Sequence, residues 1–278
     1  MFINHEKLTM SFKIKNFWDN DDVKVISQEK GFTVIEYQKD LSVTPDSAQI
    51  AYFSGLMDIR RKTLMCDLKV SDVTIQPGAM QFMVGDVQAT TGIKGAGDFL
   101  KKSFMAKASG ESTIKPEYTG TGVLVLEPTF KHIILTDLVN WNGGMVIDDG
   151  LFMACESHIK QSIVARTNLS SAIAGQEGFF NLSFSAPGGV VALECDVPQK
   201  ELIEVELNND VIKIDGNMAI AWSKSLEFTV ERSGKTLIGS AASGEGLVNV
   251  YRGTGRILLK PVGGITGISD VVFPKSQK

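Results

Sequence analysis

The side chains that do chemistry are sparse and scattered in this sequence. There are three histidines, His5, His132 and His158. None sits in a His-x-His or His-Glu-x-x-His spacing, so a facial triad or a zinc-protease site has no support. The three cysteines, Cys66, Cys155 and Cys195, are odd in number and far apart. That pattern supports neither a disulfide framework nor a Cys-x-x-Cys zinc site. Cys155 and Cys195 lie in apolar strand patterns, where a thiol behaves as a small hydrophobe. Carboxylates pair at Glu204/Glu206 and at Asp148/Asp149. Alternating carboxylates on a strand mark its solvated face more readily than a general acid and base.

Three stretches approach a known motif and miss it. Ser157-His158-Ile-Lys160 has the Ser-x-x-Lys spacing of serine acylases, without the Ser-Asp-Asn and Lys-Thr-Gly companions. Ser233-Gly234-Lys235-Thr236 resembles the tail of a phosphate-binding loop, but Thr229 stands where that motif needs glycine. Thr91-Gly92-Ile-Lys-Gly95-Ala-Gly97 is glycine-rich and precedes a predicted short helix at Asp98–Ala106. A glycine loop before a helix can cradle phosphate. Here no Gly-Lys-Ser/Thr follows, and Leu100 occupies the third glycine position of a dinucleotide fingerprint. A surface loop is the expectation. These residues assign no catalytic, cofactor-binding or metal-ligating role, and the chain is expected not to be an enzyme.

The elements that would hold such residues are organised by a repeat. Tyr118-Thr-Gly120-Thr-Gly122-Val-Leu-Val-Leu, Ser185-Ala-Pro-Gly188-Gly189-Val-Val-Ala-Leu and Tyr251-Arg-Gly253-Thr-Gly255-Arg-Ile-Leu-Leu share one design, a glycine corner followed by an apolar run. A second element recurs around Gly78, Gly150 and Gly216. The unit is roughly 70 residues long and appears three times, at about 68–130, 135–196 and 203–262. Glu111, Glu177 and Glu245 recur near the closing hairpins, where a carboxylate accepting backbone N–H bonds is expected. Ile203-Glu-Val-Glu-Leu207 alternates as a half-buried strand. Asn208-Asn-Asp210 and Asn142-Gly143-Gly144 read as turns, and Asp149-Gly150 and Asp215-Gly216 as tight hairpin turns. The fold expected is all-β, a pseudo-threefold body of three repeats with few short helices. Val123, Leu124, Leu126, Val190, Leu193, Ile257 and Leu259 are its predicted core.

Residues 1–63 precede the repeats and are expected to pack on them as strands plus one helix. The strands are predicted near Ser11–Phe17, Val23–Ile26 and Phe32–Tyr37, and the helix near Asp46–Arg61, capped by Thr44 or Asp46. Residues 64–278 form the three-repeat domain. The 278 residues are 43% hydrophobic and 22% charged, enough for a substantial core, and the net charge of −4 with no basic block argues against nucleic acid. The first ten residues lack a signal-peptide apolar region, and no apolar run reaches bilayer length. A cytoplasmic protein is expected.

Gly78-Ala-Met80, Ile214-Asp-Gly-Asn-Met-Ala-Ile-Ala-Trp222 and Gly246-Leu-Val-Asn-Val-Tyr-Arg-Gly-Thr-Gly-Arg256 resemble the bacterial branch of the altered inheritance of mitochondria protein twenty-four family, over residues 64–262. Residues 1–63 resemble an extension found in bacterial members. The resemblance implies a pseudo-threefold all-β body whose lobes are similar to the tryptophan RNA-binding attenuation protein, a short double-stranded β-helix. It implies no RNA binding, since the basic and aromatic contacts of the attenuator have no match here. In mitochondria the family is linked to inner-membrane organisation and respiratory-complex integrity. It carries no established catalytic residues, so none transfer. The function expected is that of a non-enzymatic interaction or scaffold protein with no cofactor and a partner of unknown identity. Homo-oligomerisation and peripheral membrane contact are compatible with it. The alternatives are single-stranded nucleic-acid binding by fold analogy and a small-molecule-binding β domain.

Overall fold

Short apolar and alternating runs, separated by glycine and asparagine turns, build sixteen strands and one α-helix in the computed structural model, which describes residues 12–91, 115–165, 180–216, 218–232 and 247–261. In chain order they are β1 (Val23–Glu29), β2 (Phe32–Tyr37), α1 (Pro45–Leu56), β3 (Lys62–Asp67), β4 (Val73–Ile75), β5 (Met80–Thr90), β6 (Glu117–Leu126), β7 (His132–Asp137), β8 (Gly144–Ile147), β9 (Phe152–Glu156), β10 (Lys160–Ala165), β11 (Phe180–Ser185), β12 (Val190–Cys195), β13 (Ile203–Asp215), β14 (Ala219–Ser223), β15 (Glu227–Arg232) and β16 (Leu247–Leu259). The architecture is all-β, as the alternation predicts.

All strand pairs are antiparallel. One sheet runs β1-β2-β3-β6-β4-β9-β12-β7, with β5 paired to β6. It curls until β1 and β3 approach β7, so it is a nearly closed barrel. A salt bridge spans the gap, with Lys30 Nζ 2.9 Å from Asp137 Oδ2. The second sheet runs β10-β11-β8-β14-β16-β13, with β15 paired to β16, and makes a half-barrel. The N-terminal hairpin is part of the first sheet: β2 pairs with β3 from Phe32↔Cys66 to Glu36↔Lys62.

The residue pattern explains where the core lies. On β7, Ile133 and Leu135 face the barrel interior, while Ile134 faces the second sheet. On β12, Val190 and Ala192 face inward and Val191 and Leu193 face the second sheet. These strands are covered on both sides, which is why they read as continuous apolar runs. The seven predicted core residues are all buried. Val123 and Val125 form a smaller cluster with Phe17 and Ile35.

The second and third segments pair their first strand with their last, β7 with β12 and β13 with β16, while β6 of the first segment pairs with β3, just before that segment begins. Leu68 N–H donates to Gly122 O as Leu138 N–H donates to Gly189 O. Threefold symmetry does not follow from this recurrence. The corner at Gly188 and Gly189 sends β11 and β12 to different sheets, whereas β6 and β16 each pass their glycines within one sheet. The backbone torsions also shift: Gly189 has φ +128°, but the matching positive values fall at Gly120 and Gly253, not at Gly122 and Gly255. The turn glycines Gly78, Gly150 and Gly216 agree better, with φ of +78°, +75° and +63° in open space.

Other expectations need correction. Asn208-Asn-Asp210 is no turn: β13 runs through it with a bulge between Leu207 and Asp210. Asn209 absorbs the extra residue at φ +52°, a conformation asparagine tolerates, and its N–H donates to Thr254 Oγ1. Residues 12–15 carry no strand, and Ser11 lies outside the described residues. The helix starts where predicted, with Thr44 as N-cap and Ser47 Oγ accepting from Thr44 N–H. It ends at Leu56 rather than Arg61, because Asp58 turns left-handed at φ +64°.

Candidate interaction surface

Helix α1 leaves the sheet at Tyr37 and returns to it at Lys62, and none of its residues is buried. That is unusual for a helix carrying Ile50, Tyr52, Phe53 and Leu56, which are 56–70% exposed. Met57 and Ile59 at its end, Leu41 and Val43 before it, and Phe130 from the body are exposed as well. Between the helix and the sheet end lies a groove of about 820 Å³, lined by Tyr37, Ile59 and Phe130 and by Ala48, Ala51 and Leu56 of the helix. Exposed apolar side chains are ordinary when scattered, but a contiguous cluster marks a contact site.

The groove's base is fixed by a buried ionic group. Lys62 and Glu36 face each other across β2 and β3 and are both buried. Lys62 Nζ lies 3.3 Å from Glu36 Oε2 and donates to the carbonyls of Asp58 and Arg60 at 3.3 and 3.2 Å. All three of its donors are therefore used, two of them on the turn that ends α1. Glu36 also accepts from Gln38 Nε2 at 2.9 Å and lies 3.6 Å from Arg60. Nearby His132 is held below the usual histidine range by burial and then by the Lys62 charge. The border of the groove is charge-balanced. Lys39 bridges Asp22, Arg60 bridges Asp58, and Arg61 bridges Asp40 while stacking over Phe130.

The near-motifs of the sequence do not assemble into a reactive centre among the described residues. Ser157 Oγ is hydrogen-bonded to Thr74 Oγ1 at 3.0 Å. His158 Nε2 lies 3.0 Å from Gly188 O at the Gly189 corner, beside Asp137 and Glu156. Those carboxylates serve the backbone. Asp137 Oδ1 accepts from Val139 and Gly189 N–H, and Glu156 Oε2 accepts from Val190 N–H. Burial pushes the Asp137 carboxyl up, but the Lys30 ammonium and those two N–H groups outweigh it and hold it below the ordinary range. This cluster closes the barrel seam.

Glu204 pairs with Arg256, which also lies over the Trp141 ring. Cys66, Cys155 and Cys195 are buried and free, and burial pushes the Cys155 thiol up to about 12. His5, the Gly92–Gly97 loop, Asp98–Ala106, Ser233–Thr236 and Glu111, Glu177 and Glu245 lie outside the described residues. No metal-holding cluster of histidine, cysteine or carboxylate occurs among the described residues, and no described helix is long and apolar enough to cross a membrane.

A family model described as Mitochondrial biogenesis AIM24 matches residues 57–262. The chain belongs to the AIM24 family. An uncharacterized protein of Streptococcus pyogenes serotype M6 is 27% identical over 196 residues, covering 68% of this chain and 76% of that one. A crystal structure of a Streptococcus pyogenes protein superposes with a TM-score of 0.54 at 21% identity, over 74% of this chain and 90% of that one. That likeness bears on the fold alone. The AIM24 match begins one residue after α1, so β1, β2 and the helix lie on the N-terminal flank of the family segment.

Sequence reasoning located α1 but missed both the exposure of its apolar residues and the Glu36–Lys62 pair. The available signal was a glutamate inside the apolar run Phe32-Thr-Val-Ile-Glu36-Tyr37, followed by a lysine opening the next strand.

Proposed function

We propose that this protein is a non-enzymatic interaction protein whose contact surface is α1 and the groove beneath it. The observation that carries the reading is the helix itself, apolar and without one buried residue. A 12-residue helix is marginal alone in water and gains its stability from packing. Its nine large apolar neighbours and members expose roughly 1,000 Å² together, above the ~800 Å² per partner of a standard interface. The paired charges at the border give anionic lipid no free cationic fringe among Lys39, Arg60 and Arg61, which favours an apolar protein surface as partner.

The test compares capture by the wild-type chain and by an Ile50→Asp/Leu56→Asp variant. The expected result is one protein recovered by the wild type and lost with the variant, at equal folded content by circular dichroism. Equal recovery by both, or turnover in a substrate screen, would reject the reading.

A further inference from the structure

We propose that a second copy of this chain docks on α1 and its groove, in a two-fold dimer where each copy inserts a helix ridge into the other's groove. This rests on the preceding reading of that surface and names its partner. Three observations converge.

The first is that the surface carries both halves of a contact. Met57 N–H donates to Phe53 O, so the two residues stand one turn apart on one side of the helix. They are 75% and 56% exposed and lie outside the groove lining. The Tyr52 ring meets the Phe53 ring edge-on at 5.5 Å between centroids, which steadies this ridge. Ile59 and Phe130, in the lining of the groove, are exposed as well. The two ridge side chains need on the order of 250 Å³ at interior packing density, and the groove offers about 820 Å³. A two-fold contact sets one patch against itself, so where i meets j, j also meets i. A patch that holds a ridge and a recess on the same helix satisfies that condition.

The second is charge. The stretch 36–62 holds four cations, Lys39, Arg60, Arg61 and Lys62, and four anions, Glu36, Asp40, Asp46 and Asp58, in a chain whose net charge is −4. Within α1 the single charge is Asp46. Near a two-fold axis each charge faces its own copy, so a border of one sign would repel. Here the border charges are already paired within the chain, Arg60 with Asp58 and Arg61 with Asp40. Local neutrality suits self-contact, whereas an oppositely charged partner calls for a surplus of one sign.

The third is area. The apolar side chains of the patch expose roughly 1,000 Å² on each copy. Covering three-fifths of that on both copies buries about 1,200 Å², where standard interfaces begin, and full cover reaches the roughly 2,000 Å² of permanent homodimers.

The experiment measures the mass of the full chain by sedimentation equilibrium from about 1 to about 100 µM, a range that spans a micromolar Kd. The expected wild-type mass rises to twice 30.2 kDa. Phe53→Asp on the ridge and Phe130→Asp in the groove should each weaken the dimer at least about tenfold. Both side chains are exposed, so the urea midpoints should stay at the wild-type value. Mixed in equal amounts, the two variants should dimerise again, because one of the two ridge-in-groove contacts is then intact. A wild type that stays monomeric, a dimer that either variant leaves intact, or a mixture that stays monomeric overturns the proposal. Capture of other proteins is read separately. A monomer that still captures another protein keeps the interaction reading and rejects the second copy. A dimer split by both variants keeps this assignment even where no other protein is captured.

Discussion

Replacing Lys62 by methionine tests how the groove is held. Methionine matches the length of the lysine stem, so the change removes the ammonium and little volume. Three contacts go with it: Glu36 Oε2 and the carbonyls of Asp58 and Arg60. Deleting one partner of a buried ion pair costs about 3–5 kcal/mol, chiefly because the other charge stays buried and uncompensated. Two features soften the loss here. Gln38 still donates to Glu36, and Arg60 stands 3.6 Å away to take part of the charge. The lower end, about 3 kcal/mol, is therefore expected.

Adding Glu36→Leu to Lys62→Met removes the stranded carboxylate. The double variant should recover about 2 kcal/mol and stay about 1 kcal/mol below wild type, because two turn carbonyls remain without their donor. Urea unfolding at pH 7, followed by circular dichroism, measures both. Amide exchange in α1 should rise in both variants, since Lys62 anchors the turn that follows the helix. A single-variant loss below 1 kcal/mol, or a double variant no milder than Lys62→Met, would refute the argument that this pair fixes the helix base.

Two further outcomes follow from the geometry. Gly189→Ala places a Cβ 2.9 Å from Glu156 Oε2, His158 Nε2 and Ile159 Cδ1 at φ +128°, whereas Gly150→Ala at φ +75° meets open space. Thermal unfolding should show Gly150→Ala costing about 1 kcal/mol and Gly189→Ala about 3 kcal/mol, and equal costs would contradict the close packing at the seam. His132, held neutral by burial, takes up protons more readily when unfolded. Stability should thus be full above about pH 6.5 and decline as pH falls below that value, and His132→Gln should flatten the decline in urea titrations between pH 7 and 5.

The parts of the fold set by local pattern were legible in the sequence. Val190 to Leu193 announced a buried strand, because that signal depends on neighbours in the chain. Gly150 and Gly216, by contrast, announced hairpins that do not form: they are turns, but β8 and β9, and β13 and β14, pair with other strands and not with each other. The two-sided burial of β7 and β12 was not legible, since it needs both sheets in place. Asn208 to Asp210 carried an honest turn composition that a bulge used equally well. The interaction surface was the least legible part. Ala48, Ala51 and Leu56 have the spacing of a packed helix, and only the structure shows that nothing described covers them. The Glu36–Lys62 pair was hidden for a related reason: it depends on the β2–β3 register, which sets residues 26 positions apart opposite each other.

The double-faced strands β7 and β12 mean that the barrel and the half-barrel share one wall. A wall held in common cannot be assigned to either room. Trimming it by one or two methyl groups, as in Ala192→Gly on one face or Val191→Ala on the other, should be felt in both hydrophobic clusters through the same backbone. Loss of either sheet would uncover apolar residues of β7 and β12 that the other leaves in place. Helix α1, with no buried residue and placed before the family-matched segment, stands apart from this common wall.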